Sequence, residues 1–590
     1  MEITRLDGHL LKNFLDSGML EVTNHKGYIN AINVFPVADG DTGTNLSRTL
    51  KAMSEKSQVT DSFSMTASSI SQSGLAHARG NSGIIFVSYI NGLALESGEH
   101  ETVGLEEFAH MAHGAVAYAY GSIENPVEGT MISVIRDWAD YLVSNYMHFK
   151  SFNGLFASAY TLAEQSLHKT TDMLEVLKHN KVVDAGAAGF VGFLRGINLF
   201  LKNQILPLLI SEEAYDVEIH SDEEDSSYRY CTEAFLEGVT ISAVDLKAKI
   251  KHLGDSLIVT RMGNQMRIHL HTDQPAELYK RIKPYGLISE QKVDDMAMQK
   301  NVRMQTHKPL AILTDSIADI TDALKLKDHI HTLPLTITVD EVDYLDKQTI
   351  ELEQVFEAMV SAKDYPTSAL PAPGRIEEKL IFLLENYERI LVISVSSNLS
   401  GTYSAFKKVA EKLDPLGKRI VVFDSLLNSG AQGLLVSKAA ALRAAGHSLE
   451  EIVAVLENTR KNTKIYVCLE SIRYAIKSGR VPRTLGKIAM ILGARPIMTL
   501  DALGKGGAFG VGFSKKQMTQ KILKIISKTQ ESNGIESYSI VHADNLTLAK
   551  SYELALTEII GFGPSYITEI STVTAIHSGI GSVAVSIIEK

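Results

Sequence analysis

The chain has 590 residues, 45% hydrophobic and 22% charged, with 58 Lys and Arg against 69 Asp and Glu for a formal charge of −11. That length exceeds what one core can serve and predicts about three or four domains, while the acidic balance without a large basic block excludes nucleic acid as a partner on electrostatic grounds. Two cysteines, Cys231 and Cys468, exclude a disulfide framework and fit a reducing compartment.

The N-terminus, Met-Glu-Ile-Thr-Arg-Leu-Asp-Gly, has early acids and no apolar run behind them, so it is not a secretory leader. No uncharged apolar tract approaches the roughly 18 residues of a membrane helix. A cytoplasmic protein with no integral membrane segment is expected. Residues 1–205 carry Leu6, Leu10, Leu11 and Phe14 at helical spacing, then long Ala/Leu/Met-rich segments between short glycine punctuations, which predicts a helical domain.

The first punctuation, Asn33-Val-Phe-Pro-Val-Ala-Asp-Gly-Asp-Thr-Gly-Thr-Asn45, sets Asp39 and Asp41 on either side of Gly40. On a helix the two carboxylates would point apart; in a turn they can converge on one hard cation. Gly43, Thr44 and Asn45 then read as a helix start whose N–H groups and hydroxyls can hold phosphate. The plainer reading is an Asx-turn and N-cap with no ligand. Three further loops, Ala78-Arg-Gly-Asn-Ser-Gly83, Asn125-Pro-Val-Glu-Gly-Thr130 and Val183-Asp-Ala-Gly-Ala-Ala-Gly189, also feed helix-like segments. Each alone reads as helix capping; four in one helical domain suit a Mg-nucleotide site.

This set of motifs, in this order, resembles the ATP-binding L-type domain of the dihydroxyacetone kinase superfamily, and more narrowly the fatty acid kinase A branch. The resemblance implies an all-α eight-helix barrel that binds ATP, with Mg²⁺ held by aspartates. It places Asp39 and Asp41 at the catalytic metal and Thr42, Thr44, Asn45, Asn81, Ser82, Gly83, Gly129, Thr130, Asp184 and Gly186 around the nucleotide. In the dihydroxyacetone branch a third Asp precedes the pair. Here Asn33 stands nearest, a neutral oxygen donor, so the metal would lean on the two aspartates.

Residues 206–227 are acidic, from Glu212 to Asp225, and close on Ser226-Ser227; they read as a solvated linker. Residues 228–306 have a small α+β pattern, with strands at Leu257-Ile-Val and Met266-Arg-Ile-His-Leu-His271. His269 and His271 lie on one face of the second strand, and with Cys231 could supply three ligands to Zn²⁺, or could be polar-face histidines beside a buried Cys. This segment resembles the middle domain of fatty acid kinase A, where the same Cys and His-x-His set is a metal or catalytic cluster; either role stays open.

From 307 to 590 the pattern becomes strand–loop–helix. Apolar strands at 309–315, 389–395 and 419–424 end in Thr314-Asp-Ser316, Ser396-Ser-Asn-Leu-Ser-Gly-Thr402 and Ser425, which predicts a largely parallel sheet with a ligand beyond the strand ends. Neutral hydroxyl and N–H donors suit a carboxylate with an enclosed apolar tail. The region resembles the DegV family of fatty-acid-binding proteins. That implies two α/β subdomains around an acyl chain, its carboxylate held by Thr367 and one of Ser396 and Ser397, with Arg480 and His577 nearby. Two departures stand out. The family's T-S-x-P reads Thr-Ser-Ala-Leu-Pro, so Ser368 could replace Thr367, and a basic patch often bearing Arg reads Gly510-Val-Gly-Phe-Ser-Lys-Lys516.

The whole then reads as a fusion of kinase, middle domain and carrier. The expected activity is ATP-dependent phosphorylation of a fatty acid carboxylate held in the chain's own DegV domain, giving acyl phosphate and ADP. A homodimer, and an acyltransferase consuming the product for phospholipid synthesis, are the expected partners. The alternatives are a fatty-acid-binding or sensing protein with a regulatory nucleotide domain, and a dihydroxyacetone-type kinase.

Overall fold

The computed structural model describes residues 2–209, 228–304, 309–479 and 495–590. It divides into two compact units, Met1–Lys300 and Asn301–Lys590. Arg480 and most of the acidic linker (210–227) lie outside the described residues.

The first unit begins with ten helices: α1 (Gly8–Asn24), α2 (Lys26–Ala31), α3 (Thr42–Lys56), α4 (Phe63–His77), α5 (Gly80–Glu96), α6 (Leu105–Ser122), α7 (Met131–Asn145), α8 (Phe152–Met173), α9 (Glu175–Asn180) and α10 (Ala185–Asn203). Two are short and the other eight are long. From α4 to α8 each helix packs on the next; α8 packs on α10, α10 on α1, and α1 on α3 and α4, which closes the ring. Inside lie Phe14, Phe108, Trp138, Phe152, Phe156 and Phe190, in mostly tilted or edge-on contacts. Of the helical repeat read from the sequence, Phe14 lies inside the barrel and Leu10 and Leu11 pack part-buried against its core, while Leu6 falls before α1 and bridges to Val103.

The middle region folds as β1 (Tyr230–Glu237), helix Ala243–Ile250, β2 (Asp255–Met262), β3 (Gln265–Thr272), helix Pro275–Ile282 and β4 (Leu287–Asp295). The sheet runs β2-β3-β1-β4, antiparallel throughout, a split β-α-β arrangement. Helix Ala243–Ile250 packs on β2 and helix Pro275–Ile282 on β1. The opposite face lies against the helical barrel. Phe235 and Ile258 join the barrel core, Ile123 pairs with Ile258, and Ser88 shares a 2.6 Å hydrogen bond with Thr260.

The second unit holds a parallel sheet, β11-β10-β5-β6, from β5 (Leu310–Asp315), β6 (Ile330–Leu333), β10 (Arg389–Ser394) and β11 (Ile420–Asp424). A three-stranded sheet, β8-β7-β9, is built from β7 (Thr336–Val339), β8 (Val342–Leu345) and β9 (Thr367–Ala369). A six-stranded sheet runs β14-β13-β12-β17-β15-β16, from β12 (Thr463–Cys468), β13 (Arg495–Leu500), β14 (Gly506–Gly512), β15 (Ile535–His542), β16 (Tyr566–Glu569) and β17 (Val583–Glu589). Only its β15–β16 pair is parallel. The expected parallel grammar therefore holds for the first sheet and gives way to antiparallel pairing in the last.

Candidate functional site

The four glycine loops of the helical domain meet. Asp41 is the N-cap of α3, Arg79 of α5, Thr130 of α7 and Asp184 of α10. Asp184 caps its own helix, accepting from Ala187 N at 2.7 Å; the other three side chains make no cap bond. Gly80 has φ +64, and a Cβ there would fall 2.7 Å from Asn45 Nδ2, which seats the second loop on the start of α3. A Cβ at Gly186 would fall 2.7 Å from Ser82 Oγ and 3.4 Å from Met131 Cε, so the starts of α5, α7 and α10 adjoin. Backbone N–H groups at helix starts are the donors an anion needs. Asn81 Oδ1 is buried at the same place with no protein partner, a polar atom a ligand would satisfy.

Not every predicted ligand points the same way. Asn33 is buried and its Oδ1 accepts both Thr42 N (3.1 Å) and Thr42 Oγ1 (2.7 Å), so it caps α3; contact with a cation would have to displace Thr42. Thr44 N and Oγ1 are engaged with Asn30. Thr130 Oγ1 donates to Val127 O, and Gly129 N to Ser133 Oγ. Asp39 and Asp41 remain together: Asp41 N donates to Asp39 Oδ1 at 3.4 Å, and the two side chains are in hydrogen-bond reach. Burial raises the Asp41 carboxyl above its ordinary range, against the pull of Lys292 and with the charge of Asp294 adding to the shift. Paired hard oxygens under that strain fit Mg²⁺. Burial likewise pushes Asp184 up to about 6, against the N–H groups of Ala187 and Met131.

Lys292 and Asp294 belong to the middle domain, and their influence on Asp41 reveals what the sequence concealed. Strand register aligns the polar face of the sheet in rows: Asp255, His271, Cys231 and Asp294 in one; Ile258, His269, Glu233 and Lys292 in the next. The Cys231, His269 and His271 ligand atoms lie within 4.8 Å of one another. Cys231 Sγ is 3.8 Å from His269 Nδ1, and His271 Nδ1 is 3.5 Å from Asp255 Oδ1. Burial drives His269 down to about 4, so its ring is neutral at pH 7, and its Nε2 is buried without a partner. Burial also pushes the Cys231 thiol well up, with Glu233 adding to the shift. A neutral imidazole with an unsatisfied nitrogen, a second histidine and a thiol fit a Zn²⁺ ligand set.

The same face is bonded to the loops at the helix starts. Glu233 Oε1 accepts Gly80 N at 2.7 Å and lies 3.5 Å from His269 Nδ1; Glu233 Oε2 accepts Arg267 Nη2 at 2.8 Å, and Arg267 also donates to Ala78 O at 2.8 Å. Although burial works against its charge, Lys292, His269 and Arg267 hold Glu233 well below the usual carboxylate range. The Cys–His–His cluster therefore stands close to the paired aspartates: the charge of Asp41 bears on Cys231, and Glu233 beside His269 holds the start of α5. Sequence reading missed Glu233, Arg267, Lys292 and Asp294. Its available signal was the alternation Glu290, Lys292, Asp294, which marks a polar strand face.

In the second unit, Asp315 clamps the ends of β5 and β10: Oδ2 accepts Val395 N (2.7 Å) and Ser394 Oγ (3.2 Å), and Oδ1 accepts Ile317 N (3.2 Å) and Gln432 Nε2 (3.1 Å). The following loop carries Ser396, buried and donating to Gly504 O at 2.9 Å, and Ser397, exposed with its N–H on Asp424. Leu370, just beyond β9, would lie 3.5 Å from a Cβ at Gly401. Tyr365 OH donates to Ile576 O at 2.7 Å, joining the β9 approach to the helix that holds His577. Thr367 and Ser368 on β9, Ser397 on the loop after β10 and His577 on the helix Thr572–Ser578 thus lie on adjoining elements. Ser396 already has its proton placed.

The fold defines a three-part chain: a helical barrel, a small split β-α-β domain and an α/β region. Family models agree part by part. The DAK2 domain matches residues 36–198, the middle domain of fatty acid kinase A-like proteins matches 227–303, and the family described as "Uncharacterised protein, DegV family" matches 309–590. The chain therefore joins a DAK2 domain, a fatty acid kinase A-like middle domain and a DegV domain in one polypeptide.

Among curated relatives, the uncharacterized protein SSP1546 of Staphylococcus saprophyticus is 30% identical over 311 residues, covering 50% of this chain and 56% of that protein. Protein YloV of Bacillus subtilis is 28% identical over 326 residues, covering 52% of this chain and 59% of that one. The matches thus span little more than half the length of these relatives. Solved structures include a fatty acid binding DegV family protein from Thermus thermophilus (22% identity, 48% of this chain, 100% of that chain, TM-score 0.44). DegV, a fatty acid binding protein from Bacillus subtilis, matches with 22% identity, 48% of this chain, 100% of that chain and TM-score 0.43. No helix among the described residues is long and apolar enough to cross a membrane.

Proposed function

We propose that this chain is an ATP-dependent fatty acid kinase. It takes the carboxylate of a fatty acid bound in its DegV domain and returns acyl phosphate and ADP. The observation that carries the reading is the meeting of four helix starts around the Asp39–Asp41 pair, in a chain that also carries a DegV domain. A fatty acid carboxyl is ionised at neutral pH, so the acceptor needs orientation and not a strong base. The starts of α5 and α7 would bind phosphate oxygens through N–H groups, while Asn81 and Ser82 would orient the nucleotide. Asp39 and Asp41 would hold Mg²⁺, which when bound neutralises charge on the phosphates. In the carrier, Ser397 and Thr367 or Ser368 would donate to the fatty acid carboxylate, with Ser396 fixing the loop. Cys231, His269 and His271 would hold Zn²⁺ close to the paired aspartates, where it would fix the middle-domain sheet against the nucleotide loops.

The test is ADP release by the purified chain with ATP, Mg²⁺ and oleate. The expected result is oleate-dependent turnover that falls by about 10²-fold or more in Asp41→Asn. Turnover unchanged in that variant would overturn the metal assignment. Lipid and ATP binding without turnover would instead leave a fatty-acid sensor, and turnover with dihydroxyacetone in place of oleate would make the chain a ketone kinase.

A further inference from the structure

The nucleotide loops bring two carboxylates and many N–H donors together, and a transferred phosphoryl group needs fixed positive charge there as well. The middle domain supplies a cation. Lys292 on β4 pairs in register with Glu233, whose Oε1 holds Gly80 N at the start of α5. The Lys292 side chain is 21% exposed and its Nζ lies 2.5 Å from Asp294 Oδ2. Asp294 in turn pairs in register with Cys231. Lys292 therefore stands on the sheet face that packs against the barrel, one residue row from the α5 start. Its charge bears on Asp41, Cys231 and Glu233, and Arg79 at the α5 N-cap bears on it in turn.

We propose that Lys292 is a catalytic residue that contacts the γ-phosphoryl oxygens of ATP, delivered by the middle domain to the helix starts of the barrel. The proposal rests on the kinase reading above. In the step, a carboxylate oxygen of the fatty acid attacks the γ-phosphorus and a new P–O bond forms. The bond from that phosphorus to the β–γ bridging oxygen breaks, and its electron pair leaves on ADP. No proton moves. Lys292 follows the charge that spreads over the three non-bridging oxygens, a task suited to a compact ammonium. Lys292 would release Asp294 as ATP enters, which makes Asp294 the group that parks the ammonium before the nucleotide arrives.

The experiment compares the full chain with Lys292→Met, Lys292→Arg and Asp294→Asn. Lys292→Met should lower kcat for oleate-dependent ADP release by about 10²-fold or more while ATP affinity, read with a fluorescent analogue, changes less than about fivefold. Lys292→Arg should recover part of that loss, and Asp294→Asn should cost far less than Lys292→Met. Equal, small kcat losses in Lys292→Met and Asp294→Asn, with equal losses of thermal stability, would overturn the proposal in favour of a structural pair. Should Lys292→Met not fold, lysine acylation of the wild-type chain reads the same contact by mass spectrometry. Labelling of Lys292 should fall at least about fivefold with ADP, Mg²⁺ and aluminium fluoride relative to ADP and Mg²⁺ alone; equal labelling overturns the contact. A wild-type chain that protects Lys292 yet releases no ADP would sink the kinase reading and leave the phosphate contact standing.

Discussion

At the scale of single residues, the Glu233 carboxylate joins two domains through its two oxygens. The Glu233 side chain is 0% exposed and that of Arg267 is 1% exposed. Glu233→Ala would strand the guanidinium, with only the half-exposed Glu290 left to face it, and should cost about 3–5 kcal/mol. Replacing Glu233 and Arg267 together by Met should cost clearly less, because no charge is then left behind in the interior. Thermal unfolding of the full chain separates the two outcomes; a double variant as unstable as Glu233→Ala would mean that the lost bond to Gly80 N, and not the stranded charge, sets the cost. Asp315 makes a second residue-scale case. Its carboxyl is fully enclosed, and burial pushes it up to about 6 from 3.8, against the N–H of Val395 and the Gln432 amide. A carboxyl raised on folding stabilises fully below the unfolded value and loses that contribution as pH climbs through the folded one. The second unit should therefore lose about 2 kcal/mol from this group between pH 4 and 6.5. Urea unfolding across that window should show the slope in wild type and a flatter one in Asp315→Asn; identical slopes would mean that Asp315 does not titrate there.

At the scale of elements, local pattern and tertiary register divide what was readable. The helical character of the first domain follows from apolar spacing and from glycine loops that punctuate it, both of which are properties of neighbouring residues; its closure into a barrel was implied by the family resemblance. Two of the four middle-domain strands, β2 and β3, are equally legible, and so are His269 and His271 on one face of β3. Their neighbours across the sheet are not, because β1 lies between β3 and β4 only in the folded order β2-β3-β1-β4. That order is what sets Cys231 beside His271 and Glu233 beside both His269 and Lys292. The antiparallel pairing of the last sheet was hidden for a similar reason, since a short apolar run carries no strand direction. In the carrier, the turn at Gly504 shows how a distant element sets a loop. Gly504 has φ +73, and a Cβ there would lie 2.3 Å from Ser396 Oγ and 2.7 Å from Leu426 O. Gly504→Ala should cost about 1–3 kcal/mol in strain and shift the Ser396–Ser397 loop, lowering oleate affinity about tenfold. Oleate titration by calorimetry reads this directly, and an unchanged affinity would detach that loop from the carboxylate.

At the scale of the whole molecule, the consequence of one polypeptide is kinetic. On the proposed function, a carrier tethered to its kinase would meet it at an effective concentration of roughly mM, whatever the bulk protein concentration. Turnover per molecule should then stay constant as the protein is diluted through the µM range. The decisive comparison mixes two defective chains: Asp41→Asn, with an intact carrier, and a Thr367→Ala/Ser368→Ala/Ser397→Ala chain, with intact nucleotide loops. If the acyl group is phosphorylated within its own chain, the mixture is nearly silent below about 1 µM and gains activity in proportion to concentration, because each productive encounter is now bimolecular. Recovery of a large constant fraction at the same dilution would place the transfer between the two chains of a dimer. Wild-type turnover per molecule that itself rises in proportion to concentration would mean the tether contributes nothing, and the joining of the two units would then have to be explained by co-synthesis and not by catalysis.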